Sequence, residues 1–293
     1  MKGVTLIELV VVIVVLGILS GIAAAILVPT YQAYFASQRR AELADVADTA
    51  ARRMVRDLRL SLPNSPRVRI SGSDQFIEVL LTKNGGRYRA TNDDNGGATT
   101  EDPLDFSASD NRFDTLGALP ATAEQQVQAN DYVVIHNLGI SGANAYDVGA
   151  TTPNIARVSA FGAGALADES RITLSASTQF PLESPGRRFF VVSGPVTYAC
   201  TGVGTAGGNG TGLLRRWSDY SIQLLHGGVE SAPNALPAGA ADAILADSVS
   251  ACTFTYSNNL TQLSRGLITI RLAITRADET VTLYYQAHIN NVP

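Results

Sequence analysis

The first 28 residues constrain the fold of this chain more than any other stretch. A short segment with one cation, Lys2, precedes an apolar run that contains a single carboxylate, Glu8, and reaches Val28 without another charge. At about 1.5 Å of rise per residue, residues 4–28 would form a helix of roughly 37 Å, long enough to cross a bilayer. The sequence therefore predicts a transmembrane helix whose amino end, preceded by Lys2, stays in the cytoplasm.

Glu8 is the anomaly in this helix. A carboxylate deep in a bilayer costs on the order of 2.5–3.5 kcal/mol, so it requires a partner or a function. If the chain is cut between Gly3 and Val4, the new α-ammonium group lies about one helical turn from Glu8. That ammonium group can neutralise the carboxylate of its own chain or of a neighbouring chain.

The residues around this point resemble a known processing signal. Lys2, Gly3 and Val4, followed by T-L-I-E ending at Glu8, are similar to the class III signal of type IV pilins and type II secretion pseudopilins. In that family a prepilin peptidase cleaves after the glycine and N-methylates the new terminus, and the glutamate guides subunit docking. The resemblance implies a leader of residues 1–3, cleavage after Gly3, methylation of Val4 and docking through Glu8.

Two other interpretations of the amino-terminal segment fit its residues less well. A secretory signal would be cleaved near the small residues 23–25, but its apolar core would be shorter and would not contain Glu8. A plain transmembrane anchor fits the length and leaves Glu8 unexplained. Gly17 and Gly21, four residues apart, predict a ridge on which helices approach closely, although glycine is also common in membrane helices for other reasons.

Residues 29–62 predict an amphipathic continuation of the same helix. Pro29 removes a backbone donor and clashes with the carbonyl four residues back, so a kink is expected there. Beyond it, apolar residues recur every three to four positions and predict a stripe that packs on a domain: Tyr31, Phe35, Leu43, Val46, Ala47, Ala50, Met54, Leu58 and Leu62. Pro63 and Pro66 then end the helix. A spine that is half bare and half covered by a head is the shape of the pilin family.

Residues 63–293 predict a β-rich periplasmic head. Segments rich in β-branched and aromatic residues predict strands at 68–70, 76–81, 87–89, 131–136, 155–161, 171–175, 189–201, 213–217 and 220–225. A polar insert occupies 91–130. The clearest signal is a hairpin of 267–275 and 281–289, in which apolar and polar residues alternate on either side of a turn at 277–279. A helix followed only by strands predicts an α+β fold with an antiparallel sheet packed on the spine.

Composition and motifs argue against several function classes. Charged residues make up 16% of the chain and the net charge is −4, which suits a secreted β protein and gives no basic surface for nucleic acid. Gly202–Gly207 matches G-x-G-x-x-G, but a second glycine-rich run follows where dinucleotide binding needs a helix, so a flexible loop is predicted. His136, His226 and His288 lack ligand-spaced neighbours, and no G-x-S-x-G elbow is present. We therefore predict no metal, cofactor, catalytic residue or small-molecule substrate.

Two cysteines, Cys200 and Cys252, each end a strand-like run. In an exported chain we expect them to form a disulfide, although a reduced compartment would leave them free. Closing this loop would stabilise the fold by roughly 4 kcal/mol in the chain-entropy model.

The sequence around the cysteines carries a second resemblance. It is similar to a minor pilin of mannose-sensitive haemagglutinin (MSHA) pili at F-F-V-V-x-x-P-V-x-Y-x-C (189–200), V-x-x-C-x-F-x-Y (249–256) and Q-x-H-x-N-N-x-P (286–293). The resemblance implies a low-abundance subunit that helps to initiate or cap a filament. Its partners would be prepilin peptidase and other major and minor pilins, first in the inner membrane and then in a pilus at the cell surface.

Three alternatives remain at this stage. A minor pseudopilin of type II secretion would share the signal, but its filament would stay in the periplasm. A tip adhesin would bind a glycan through the loops at 91–130 and 202–212. A membrane-tethered periplasmic enzyme would need a catalytic constellation, which the sequence does not contain.

Overall fold

The computed structural model describes residues 3, 5–92, 101–224, 237–258 and 265–291. Lys2, Val4 and His226 lie outside the described residues. The described part contains one helix and thirteen strands: α1 (Leu6–Arg59), β1 (Arg67–Ser71), β2 (Asp74–Arg87), β3 (Asp110–Asp114), β4 (Tyr132–Ile135), β5 (Ile155–Ala163), β6 (Ser170–Thr178), β7 (Arg188–Thr201), β8 (Thr205–Ala206), β9 (Asn209–Gly210), β10 (Gly212–Ser218), β11 (Ala241–Asn258), β12 (Arg265–Arg276) and β13 (Glu279–Asn290).

α1 is a single helix of 54 residues, about 81 Å long at 1.5 Å per residue. Helical structure continues through Pro29, and the kink expected there remains a prediction. α1 ends at Arg59, three residues before the predicted limit at Leu62. It ends early because the next residues join the edge of β2, where the Leu62 amide donates to the Leu80 carbonyl and the Thr82 amide to the Leu60 carbonyl, both at 2.8 Å.

β7 is the central strand of an eleven-stranded sheet. One edge of β7 pairs with β2 from Arg188 to Cys200. The other edge pairs with β4 at Phe189–Val192 and with β10 at Thr197–Thr201. β10 continues into β11, β12 and β13, which we call the spine wing, and β4 continues into β5, β6 and β3, which we call the far wing. Every pairing is antiparallel, which confirms the predicted α+β fold.

α1 packs on the spine wing, chiefly on β13 and β12. The main core lies between them, and the buried helix residues Leu43, Ala47, Ala50, Met54 and Leu58 are the predicted stripe. The stripe begins later than predicted, because Tyr31 and Phe35 are exposed, and Val46, also predicted for it, is exposed as well. The far wing has a separate core.

The closing hairpin forms as predicted. Its four inward residues on β12, Ile268, Ile270, Leu272 and Ile274, are buried. Ala277 and Asp278 make the turn with φ angles of 50° and 62°, which suit a two-residue type I′ hairpin.

Four other regions differ from their predictions. The polar insert contributes β3 and the buried residues Phe113 and Val127, because a few apolar positions suffice to anchor a long polar segment. Tyr220 to Leu224 does not form a strand. The Ala-rich start of β11 pairs with β10, although its composition does not favour a strand. Within residues 202–212, where a loop was predicted, β8 and β9 pair as a short hairpin, and the Asp278 amide donates to the Gly208 carbonyl at 2.8 Å.

Candidate assembly segment

The first turn of α1 is closed by a capping box. Thr5 is the N-cap residue, with φ −78° and ψ 154°. The Glu8 amide donates to Thr5 Oγ1 at 3.3 Å, and the Thr5 amide donates to Glu8 Oε2 at 3.5 Å. Two backbone donors that a helix start leaves free are thereby satisfied.

The capping box turns the Glu8 carboxylate back toward the chain end. The Gly3–Val4 bond is one residue before Thr5, whose amide already donates to this carboxylate. The amino end of a helix also favours negative charge. The carboxylate therefore stays close to the first turn of α1, where the helix dipole stabilises it.

The half of α1 that follows Glu8 is bare. Every described residue from Thr5 to Phe35 is exposed, and α1 is the helix in the described chain that is long and apolar enough to cross a membrane. A continuous apolar surface of this length needs lipid or other helices around it. A Cβ added at Gly17 or Gly21 would meet no atom of this chain, so the small-residue ridge has no packing role within the subunit.

The covered half of α1 is fixed to the head by a buried carboxylate. Asp57 Oδ2 accepts hydrogen bonds from Tyr198 Oη at 2.8 Å and from Arg216 Nε at 2.9 Å. Burial is the main reason that the pKa of Tyr198 is raised, and the Asp57 carboxylate adds to it. These bonds connect the last turns of α1 to β7 and β10.

Two exposed contacts lie nearer the boundary between the halves. Arg40 Nε donates to Glu279 Oε2 at 2.6 Å, and the hydrogen bond from Arg40 lowers the pKa of Glu279. Asp48 accepts from Arg52 Nε at 2.5 Å and from the Tyr285 hydroxyl. The Arg40–Glu279 and Asp48–Tyr285 bonds both join α1 to β13, whereas the Asp48–Arg52 bond lies within α1.

Cys200 and Cys252 form a disulfide, with a Cα–Cα distance of 6.3 Å, in agreement with the predicted pairing. Cys200 is in β7 and Cys252 in β11, so the bond connects strands that flank β10. Both residues belong to the core under α1.

The remaining candidates do not converge on a site. Among the described residues, no three His, Cys, Asp or Glu side chains are grouped to hold a metal ion. Burial lowers the pKa of His136, and its Nδ1 has no hydrogen-bond partner. His288 lies in β13, and Gly202–Gly207 leads into the β8–β9 hairpin.

Two residues of this arrangement, Thr5 and Asp57, were not predicted from the sequence. Thr5 has a readable signal, since a threonine three residues before a glutamate at a helix start is the capping-box pattern. Asp57 has none, because its partners lie more than one hundred residues away in the chain.

The comparisons with known proteins concern this same segment. Residues 1–24 match the family model of the prokaryotic N-terminal methylation motif. No curated protein and no solved structure matches the chain significantly. The motif indicates a type IV pilin or a pseudopilin, and together with the exposed apolar helix it fits an anchor in the inner membrane. The match thus supports a place for this chain in the type IV pilin-like class, whose members are processed by prepilin peptidase.

Proposed function

We propose that the chain is a minor pilin of an MSHA-type pilus, resembling the MshO subunit, that helps to initiate or cap the filament. The observation that carries the proposal is the Glu8 carboxylate, held by its capping box at the start of a bare apolar helix, within residues that match the N-terminal methylation motif. A structural role of this kind needs no catalytic residues.

The proposed mechanism has three steps. Prepilin peptidase cuts after Gly3, and the Val4 amine becomes free. Glu8 then pairs with the amine of an incoming subunit while the bare helices bundle with those of their neighbours. Finally the head, with its Cys200–Cys252 disulfide, meets other minor pilins near the tip.

Burial energetics explain why this pairing would drive docking. An unpaired carboxylate in the bilayer costs on the order of 2.5–3.5 kcal/mol, and a neighbouring ammonium group in the same low-dielectric region offsets part of that cost. The apolar helices have no hydrophobic driving force for association, since lipid is equally apolar, and their packing contacts do not select one partner helix over another. The charge pair would therefore supply much of the specificity.

Glu8→Gln tests the docking role. Glutamine can still complete the capping box, so the change removes the charge and keeps the helix start. We expect normal membrane insertion and folding, with incorporation into filaments reduced by about tenfold or more. Glu42→Gln is the matched control, because Glu42 is an exposed acid on the same helix beyond the bare half. Normal incorporation of the Glu8→Gln subunit would contradict the proposal.

The cleavage site is tested by the mass of the protein isolated from cells. The mature chain should begin at Val4, and Gly3→Ala should keep the longer precursor. A wild-type chain that begins at Met1 or beyond Ala25, or a mature-sized Gly3→Ala band, would refute the assigned cut.

A deletion strain separates the pilus from the secretion alternative. We expect the composition of purified filaments to change while the amounts of secreted enzymes stay normal. Loss of secreted enzymes from a strain with normal pili would instead identify a pseudopilin of type II secretion.

A further inference from the structure

A cleft of about 490 Å³ opens where the end of α1 meets β2 and β7. The assembly segment does not use it, since the cleft lies at the opposite end of the helix. Three arginines line it, Arg59 from the last turn of α1, Arg87 from β2 and Arg188 from β7, beside Phe189 and Phe190. Its volume is that of a small-molecule site, not of a flat protein interface.

Two of these arginines directly oppose each other. Arg87 and Arg188 are Cα partners in the antiparallel ladder of β2 and β7, where side chains lie about 5 Å apart at Cβ and like charges repel. Arg87 Nε donates to the Gly186 carbonyl at 3.2 Å, which orients one guanidinium group. Both side chains are exposed, and neither makes an ion pair with a carboxylate in the part of the chain that the structure describes.

Arg59 adds a third positive charge. A cation in the last turn of a helix is favoured by the helix dipole, and that alone would explain Arg59. It does not explain why two more arginines face each other across the same cleft.

Two hydroxyl groups on the cleft wall lack partners. Ser61 and Thr82 both line the cleft, and among the described residues neither hydroxyl oxygen has a hydrogen-bond partner although both are buried. Buried polar groups are usually satisfied, because an unmet hydrogen bond costs free energy. Both oxygens are closed off from solvent in their present rotamers, so either hydroxyl would reach a ligand in the cleft only after a rotation about χ1.

We propose that this cleft binds an acidic saccharide. A carboxylate or sulfate group would lie between Arg87 and Arg188, since the planar guanidinium fork matches such oxyanions with paired hydrogen bonds. The Phe190 ring, which lines the cleft, would cover an apolar face of the sugar. The inference does not require filament assembly, because every lining residue belongs to one chain.

Calorimetric titration of the full chain in detergent, at low salt, tests the site. The probes are trigalacturonic acid, which carries carboxylates alone, a heparin tetrasaccharide, which adds sulfates, neutral maltotriose, and a hexaglutamate peptide. We expect one or both acidic saccharides to bind and maltotriose not to bind. The better of the two identifies the acidic group that the cleft prefers.

Arginine variants locate the binding within the molecule. Arg87→Gln and Arg188→Gln should each weaken saccharide binding by about tenfold, the loss of one charge-assisted contact. Arg157→Gln is the matched control and should bind as the wild type does, because Arg157 is an exposed arginine of β5 away from the cleft.

Thermal unfolding supplies an independent measurement. Arg188→Gln should unfold at or above the wild-type temperature, since it removes repulsion, and saturating saccharide should stabilise it less than the wild type. Four results would overturn the proposal: no binding of either acidic saccharide, equal binding of maltotriose, wild-type affinity in both cleft variants, or tighter binding of hexaglutamate, which would mark a protein interface.

Discussion

The two halves of α1 share one backbone and have opposite surroundings. From Thr5 to Phe35 every described residue is exposed, whereas from Leu43 to Leu58 one stripe is buried against the head. From Leu9 to Val28 the bare half is apolar on nearly all sides, and the covered half buries its apolar residues chiefly along one face. An all-apolar helix obtains its stability from lipid or neighbouring helices, and an amphipathic one from its own domain. Substitutions in the bare half should therefore affect assembly, and those in the covered half should affect folding.

Removal of the disulfide should give the largest difference in stability between the two halves of α1. Cys200→Ser with Cys252→Ser should lower the free energy of unfolding of the head by about 4 kcal/mol. Hydrogen exchange should then accelerate for amides of the covered half, such as Met54, and stay unchanged in the bare half in detergent, because the disulfide lies in the core under the covered half.

Uniform exchange along the whole helix would contradict that comparison. The wild type in the same detergent, with and without reducing agent, is the control, since reduction should reproduce the double variant. Equal exchange in both halves after reduction would mean that α1 unfolds as one unit.

A matched pair of leucines tests the same comparison at single-residue level. Leu58 is fully buried and Leu19 is 57% exposed. Leu58→Ala should cost about 3 kcal/mol, the usual effect of a new cavity in a core, and Leu19→Ala should stay within about 0.5 kcal/mol. Urea unfolding in detergent measures both, with the fluorescence of Trp217, the single tryptophan, as the probe. Equal losses would show that the bare half also packs on the head.

Loss of the Asp57 carboxylate, which connects α1 to the sheet, should lower the free energy of unfolding less than a cavity in the core does. Asp57→Asn removes the charge that accepts from Arg216 and Tyr198, and we expect a loss of about 2 kcal/mol. Tyr198→Phe removes one donor and keeps the ion pair, so its loss should be smaller. Trp217 fluorescence in urea again reports both. A larger loss in Tyr198→Phe than in Asp57→Asn would show that the hydroxyl, not the charge, fixes the helix.

Local spacing patterns in the sequence predict the parts of the fold that depend on residues close together in the chain. The stripe of Leu43, Ala47, Ala50, Met54 and Leu58 follows from helical spacing, and the final hairpin follows from strict alternation. The start at Leu43 was not predictable, because Tyr31 and Phe35 fit the same spacing and the head does not extend over them. β3 was missed because the polar residues of the insert outnumber its few buried anchors.

The functional candidates also differ in whether the sequence alone predicts them. Glu8 can be recognised as a candidate from the sequence alone, since a carboxylate inside an apolar membrane helix is costly and therefore needs a partner or a function. The Arg87–Arg188 pair is not visible, because it depends on the register between β2 and β7. Strand register is decided by the turns and the buried faces of the whole sheet, so contacts across it follow only from the fold.

Loss of the boundary contact between Arg40 and Glu279 should change the stability least. Because the hydrogen bond from Arg40 lowers the pKa of Glu279, the contact stabilises the native state above the pKa of an unfolded glutamate, about 4.3, and loses this effect as the pH falls through the lower native value. Glu279→Gln should therefore be slightly less stable than the wild type at pH 7 and equal to it in strong acid. Arg53→Gln, a change of an exposed arginine on α1, serves as the control and should show no such pH dependence in thermal unfolding. If Glu279→Gln stays less stable than the wild type by the same amount in acid, the charge pair does not hold the covered half at its boundary. The core alone would then decide where the bare half begins.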